Sequence, residues 1–208
     1  MFGCINGARE IVKEDPIYRR ERAVNLGIAP YMFSKITVLG VLCLLQSAIL
    51  VLMVNAIAPF QQGIFLPVTL EIYISMALTA LAGLMLGLTV SAIVPNNDRA
   101  LSFIPIILIP QVIFSGLLFK LDGPALQIVG GLFAARWAVA ATGSSIGLHG
   151  DKLGADGFSF QGTLFSPDPN SQIDATLHLL LCWSILIAMI VILSLVTAYF
   201  LKRKDVRA

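Results

Sequence analysis

Charge is what this sequence has least of. Lys, Arg, Asp and Glu make up 12% of its 208 residues, against about 25% in a soluble globular domain. The charges are also missing in blocks. None falls in the 35 residues from Ile36 to Leu70, and none in Ile72–Asn97, Ala100–Phe119 or Ala175–Leu201. A surface helix cannot be apolar for so long. A helix crosses the hydrocarbon core, roughly 30 Å thick, with about 20 predominantly apolar residues. In lipid the backbone must also satisfy its own hydrogen bonds. The sequence therefore predicts an all-α, polytopic helical membrane protein. Its four transmembrane helices are expected at 33–57, 70–95, 100–120 and 175–201.

Other absences narrow the chemistry. The two histidines, His149 and His178, stand apart, so no His/Cys metal cluster is expected. The three cysteines, Cys4, Cys43 and Cys182, lie in or beside apolar runs. None lies in 121–174, which argues against a disulfide framework. There is no Gly-x-x-x-x-Gly-Lys-Ser/Thr phosphate loop. The nearest fragment, Gly147-Leu-His-Gly-Asp-Lys152, has the wrong spacing. No Ser/His/Asp grouping stands out. Asp168 and Asp174 have no calcium-loop spacing around them. No cleavable signal peptide is visible, because the charged block follows the short apolar start. Glu71 and His178 are the ionisable groups nearest to membrane depth. An intramembrane carboxylate is by default a functional candidate, but at the edge of a span Glu71 is expected to reach water, and His178 likewise. The chain reads as a passive pathway that another component must drive, and not as an enzyme.

The charges that are present set an orientation. Arg9, Lys13, Arg19, Arg20, Arg22 and Lys35 precede the first span. Arg99 follows the second, and Lys202, Arg203, Lys204 and Arg207 follow the last. The connection from Pro59 to Pro67 has neither Lys nor Arg. The positive-inside rule then places both termini in the cytoplasm of a multi-pass protein of the cell (inner) membrane, which an even number of spans allows. A fifth crossing at Pro124–Leu148 would put the basic tail outside. That stretch also holds Gly130, Gly131, Arg136 and Gly143. It is expected to be re-entrant or interfacial on the outer side, within an outer region of 121–174. The polar stretch Gly147–Asp174, punctuated by Phe158, Phe160 and Phe165, reads as a small lid or a disordered loop.

Local signals mark further elements. Asp15-Pro16 starts a helix, since Asp caps free N–H groups and Pro loses nothing at the first helical position. Asn25-Leu26-Gly27 stops it, with Gly27 available for a left-handed cap. Ile17 and Val24 lie seven apart on one face of this short helix, surrounded by Arg19, Arg20, Glu21 and Arg22. Such a helix lies along the cytoplasmic face, either as an anchor on anionic lipid or as a docking site for a soluble partner. In the second span Gly83 and Gly87, with Thr79 and Ser91, form a small-residue stripe that permits close helix packing. In the third, Pro105 and Pro110 are expected to kink the helix or open its backbone bonds, and Gly116 allows close approach. Met1–Ala8 is apolar and too short to span.

Three groups of residues together resemble ABC exporters of the G (White) subfamily. The run Arg9-Glu-Ile-Val-Lys-Glu-Asp-Pro-Ile-Tyr-Arg-Arg-Glu-Arg22, continuing to Tyr31 and Ser34-Lys35, resembles that family's first intracellular loop. Phe114-Ser-Gly-Leu-Leu-Phe119 looks like the end of its fifth helix. Ala135-Arg-Trp-Ala-Val-Ala-Ala141 is similar to the stretch after its re-entrant segment. The order of the elements matches as well. Among bacterial relatives the chain is most similar to the group that also carries a forkhead-associated domain.

The resemblance implies that the four spans are helices three to six of a six-helix domain. Residues 1–8 would be the inner end of the second helix, and 9–30 a cytoplasmic coupling loop. Within it Glu14, Tyr18, Arg19, Arg20, Glu21 and Arg22 would form the coupling helix that receives the ATPase stroke. Leu117 and Leu118 would match a hydrophobic plug, and apolar side chains can gate a path by excluding water. The implied function is the permease part of an ATP-driven exporter of an amphipathic or lipid-like substrate, working by alternating access. Its partners would be an ABC ATPase domain or subunit, a second transmembrane domain in a homodimer or heterodimer, and the bilayer, with no nucleic acid. ATP and Mg would be held by the ATPase, and no cofactor by this chain. The alternatives from the residues alone are a membrane scaffold that transports nothing, or an inactive truncated product.

Overall fold

The computed structural model describes residues 2–14, 20, 27–60, 63–94, 96–117, 124–146, 152–153, 158–159 and 172–205. Eight helices account for nearly all of them. They are α1 (Phe2–Ala8), α2 (Glu10–Lys13), α3 (Ile28–Ile57), α4 (Val68–Ile93), α5 (Asn97–Ile113), α6 (Pro124–Gly131), α7 (Ala134–Ser145) and α8 (Gln172–Asp205). Among the described residues the only strands are a two-residue antiparallel pair, β1 (Lys152–Leu153) and β2 (Phe158–Ser159), with Lys152 opposite Ser159.

Among the described residues three helices are long and apolar enough to cross a membrane, over Pro30–Ile57, Val68–Ile93 and Ala175–Arg203. Of these α4 is the most enclosed: 56% of its apolar window is buried, against 28% for α3 and 17% for α8. Its neighbours therefore surround α4, while α3 and α8 keep broad apolar faces for lipid or for protein. Val38, Val41, Leu45 and Leu52 are exposed on α3, and Ile187, Val191 and Leu195 on α8.

The third expected span, 100–120, is shorter as a helix. With 17 residues α5 is roughly 25 Å long at a 1.5 Å rise, and it stops at Ile113. It runs through Pro105 and Pro110 without a break. What ends it is the turn beyond. The Ser115 hydroxyl donates to the Val112 carbonyl (2.7 Å) and accepts from the Leu117 N–H (3.3 Å). Gly116 has φ +84°, a conformation open to glycine and strained for most other residues. Gly116 thus serves the turn through its backbone freedom.

The stretch read as re-entrant is a pair of helices, α6 and α7, bent by 89°. Phe133 is extended at the corner, and its N–H reaches the Gly130 carbonyl at 3.0 Å. The Trp137 indole N–H donates to the Gly131 carbonyl at 2.8 Å, tying α7 back across the bend.

Contacts gather into two units. The first comprises Met1–Gln46, Ala80–Leu108 and Ala188–Ala208. Its core holds Ile11, Leu39, Cys43, Leu84, Met85, Leu88 and Leu201. The second comprises Ser47–Thr79 and Ile109–Ile187. Its core holds Ile64, Ala140, Ala141, Ala175, Leu179 and Cys182, with Trp137 and Trp183 packed against it.

Candidate functional site: the segment after α1 and its seat

In the first unit α1 lies against α4 at backbone distance. A Cβ on Gly7 would stand 2.7 Å from the Leu84 carbonyl oxygen, and one on Gly87 would stand 2.9 Å from the Ala8 nitrogen. Neither fits. At Gly83 a Cβ would meet the Cys4 nitrogen at an ordinary 3.6 Å. Close approach therefore depends on Gly7 and Gly87 far more than on Gly83.

The chain breaks at Arg9 and restarts as α2, a single turn. Arg9 gives this turn no side-chain cap. Its free N–H groups are satisfied from another helix: the Ser91 hydroxyl on α4 accepts from both Ile11 and Val12, at 3.0 Å each. This is a helix cap supplied in trans, filling the role that Ser, Thr or Asp normally fills from the preceding position. Ile11 and Val12 are buried beneath it.

The opposite anchor comes from α3. Glu10 and Glu14 are four residues apart, which puts both on one face of a helical turn. The Lys35 ammonium donates to Glu10 Oε1 at 3.0 Å and also to Glu14 Oε1. Tyr31 adds a long hydroxyl contact to Glu14 Oε2 (3.4 Å), and its ring lies 6.0 Å from the Lys35 ammonium. The Lys35 side chain is only 17% exposed, so these contacts are shielded from solvent more than ordinary surface ion pairs.

Of the coupling residues expected from the sequence, Glu14 lies in this seat, and Arg20 is helical and exposed. Tyr18, Arg19, Glu21 and Arg22 lie outside the described residues. Leu117 is exposed just after the Gly116 turn, and Leu118 lies outside the described residues. Lys35 and Ser91 are the residues that sequence reasoning undervalued. In the sequence Lys35 figures only among the flanking charges and in the family motif, and Ser91 only as one small residue in a stripe. The partners of Ser91 are about 80 positions away in the chain, so no local pattern marks them.

The second unit carries polar groups of its own. Glu71 is fully buried and does not reach water, contrary to expectation. Its carboxylate accepts from three consecutive backbone N–H groups, Ile64 (3.1 Å), Phe65 (2.9 Å) and Leu66 (2.9 Å). Successive N–H groups in a tight loop form a concave anion site that takes the place of solvent. The Trp183 indole N–H donates to the Ser75 hydroxyl at 2.9 Å. His178 Nδ1 lies 3.3 Å from the Ser144 hydroxyl. The Phe114 and Phe133 rings stack at 4.9 Å.

Over residues 1–141 the chain matches the family described as ABC-2 type transporter. It is similar to a protein of Mycobacterium tuberculosis (strain ATCC 25618 / H37Rv) described as an ABC transporter ATP-binding/permease protein. The two are 33% identical over 144 residues, 67% of this chain and 17% of the relative. The chain thus spans less than a fifth of the length of the curated relative it matches. No solved structure matches it significantly.

Proposed function

The chain belongs to the ABC-2 type transporter family, and from that premise we propose that it is the membrane-spanning permease part of an ATP-driven exporter. The coarser statement, a multi-pass membrane component of an ABC transport system, follows from the family and from helices long enough to span. The proposal adds the driver, the direction and the substrate class. ATP is hydrolysed by an ABC ATPase domain or subunit, which holds ATP and Mg. The cargo is amphipathic or lipid-like, and the permease works as a dimer with a second transmembrane domain. Both termini face the cytoplasm of the inner membrane. The relative's name joins ATP-binding and permease parts, which supports such a partner.

One observation carries the reading. The segment that resembles a coupling loop is not a loose linker at its start, because Glu10–Glu14 is fixed by Ser91 and Lys35 to the helices that begin and end beside it. Glu14, Tyr18, Arg19, Arg20, Glu21 and Arg22 receive the ATPase stroke. Leu117 and Leu118 form the hydrophobic plug.

The test is charge reversal within the proposed coupling segment. Inverted membrane vesicles containing the assembled transporter are given ATP and a fluorescent phospholipid analogue. Arg20→Glu or Glu21→Arg is expected to reduce ATP-dependent lipid movement at least fivefold, with the protein still inserted. Equal movement in wild type and variants would count against the coupling assignment.

A further inference from the structure

The four residues of α2 cannot hold a helical turn by themselves, because nucleation fixes several residues for very few hydrogen bonds. Their shape is imposed from outside. Ser91 on α4 takes the two N–H groups at the start of the turn. Lys35 on α3 takes the two carboxylates, Glu10 and Glu14, that the turn brings onto one face. These anchors differ in kind: one is a neutral hydroxyl on backbone, the other an ammonium shared by two carboxylates. They also grip different sides, since Ile11 and Val12 are buried while Glu10 and Glu14 stay part-exposed.

Only Glu14 and Asp15 separate this turn from the helix expected to begin at Pro16. A displacement of that helix can enter the membrane domain through residues 10–14 at one end and through Gly27, which leads straight into α3, at the other. A free turn would absorb it by unwinding. A turn pinned at its N–H groups and at both carboxylates passes it on.

Resting on the coupling reading above, we propose that Lys35 and Ser91 are positioning residues. Together they make Glu10–Glu14 a rigid joint that delivers one push to α3 and α4 at the same time. Each acts through the Glu10–Glu14 turn that it holds. Removing either lets the joint yield, so nucleotide binding no longer moves the two helices together.

The test reads helix movement directly and needs no substrate. The transporter is purified with its ATPase and labelled with spin probes at Phe33→Cys on α3 and Ile93→Cys on α4. Both positions are exposed, whereas the native Cys4, Cys43 and Cys182 are buried and label slowly. The distance distribution is measured without nucleotide and with ATP plus vanadate, at equal ATPase content. The expected result is a nucleotide-dependent shift in the parent, retained in Lys35→Arg and at least halved in Lys35→Gln and in Ser91→Ala. If Lys35→Gln fails to accumulate, the reversed pair Lys35→Glu with Glu14→Lys is expected to restore both accumulation and shift. Accumulation of the reversed pair without a shift overturns the proposal. A full shift in Lys35→Gln and Ser91→Ala overturns it too and leaves the coupling reading standing. No shift in the ATPase-bound parent overturns both.

Discussion

Glu71 accepts from three backbone N–H groups in a row, and so one side chain sets the shape of the connection before α4. Gly63 shows how tight that connection is: a Cβ there would stand 2.7 Å from the Leu66 carbonyl oxygen. Removing the carboxylate takes the acceptor from the Phe65 and Leu66 N–H groups, and a buried N–H left unpaired costs about 1–3 kcal/mol. Glu71→Ala is therefore expected to destabilise the protein by roughly 2 kcal/mol or more, read as a lower Tm in detergent. Glu71→Gln, which keeps one acceptor oxygen, should lose less. Equal Tm values for wild type and Glu71→Ala would show that the carboxylate does not hold the loop. The presence of Glu71 at the edge of a span was plain in the sequence, but its partners were not. Backbone N–H groups carry no residue signature, so a buried carboxylate satisfied by main chain looks the same as one that reaches water.

Whole elements were more legible than their ends. Long charge-free runs fix where α3, α4 and α8 must lie, because lipid leaves no alternative to a helix there. The early end of α5 was harder to see. Its apolar run continues to Phe119, and hydropathy does not register a Ser115–Gly116 turn that closes through a hydroxyl and a positive φ. The glycine stripe on α4 was legible as a stripe, whereas its distribution of effect was not. Overpacking a close contact typically costs about 1–3 kcal/mol. Gly87→Ala should then lower stability by about that much and loosen α1 from α4, while Gly83→Ala, with room for its Cβ, should be nearly neutral. Thermal unfolding in detergent separates the two, and similar losses at both positions would contradict the packing seen here. The Ser91 cap belongs to this scale as well, since it links elements distant in sequence and only folding brings them together.

For the molecule as a whole, the family and the spanning helices make a multi-pass membrane component of an ABC transport system, and the proposal adds an ATPase that drives it. The charged run before α3 and the family match are what support the proposed ATPase partner. The sequence could suggest that partner only by resemblance. The proposed coupling would depend on surfaces that meet in the assembly, and no periodicity within one chain encodes such surfaces. The most direct measurement is mild-detergent purification of the tagged chain from its native membrane, followed by quantitative mass spectrometry. The account predicts an ABC ATPase domain or subunit in stoichiometric amount, with ATP hydrolysis in the purified material. A chain that purifies without any ATPase would contradict it and would favour a scaffold or an inactive product.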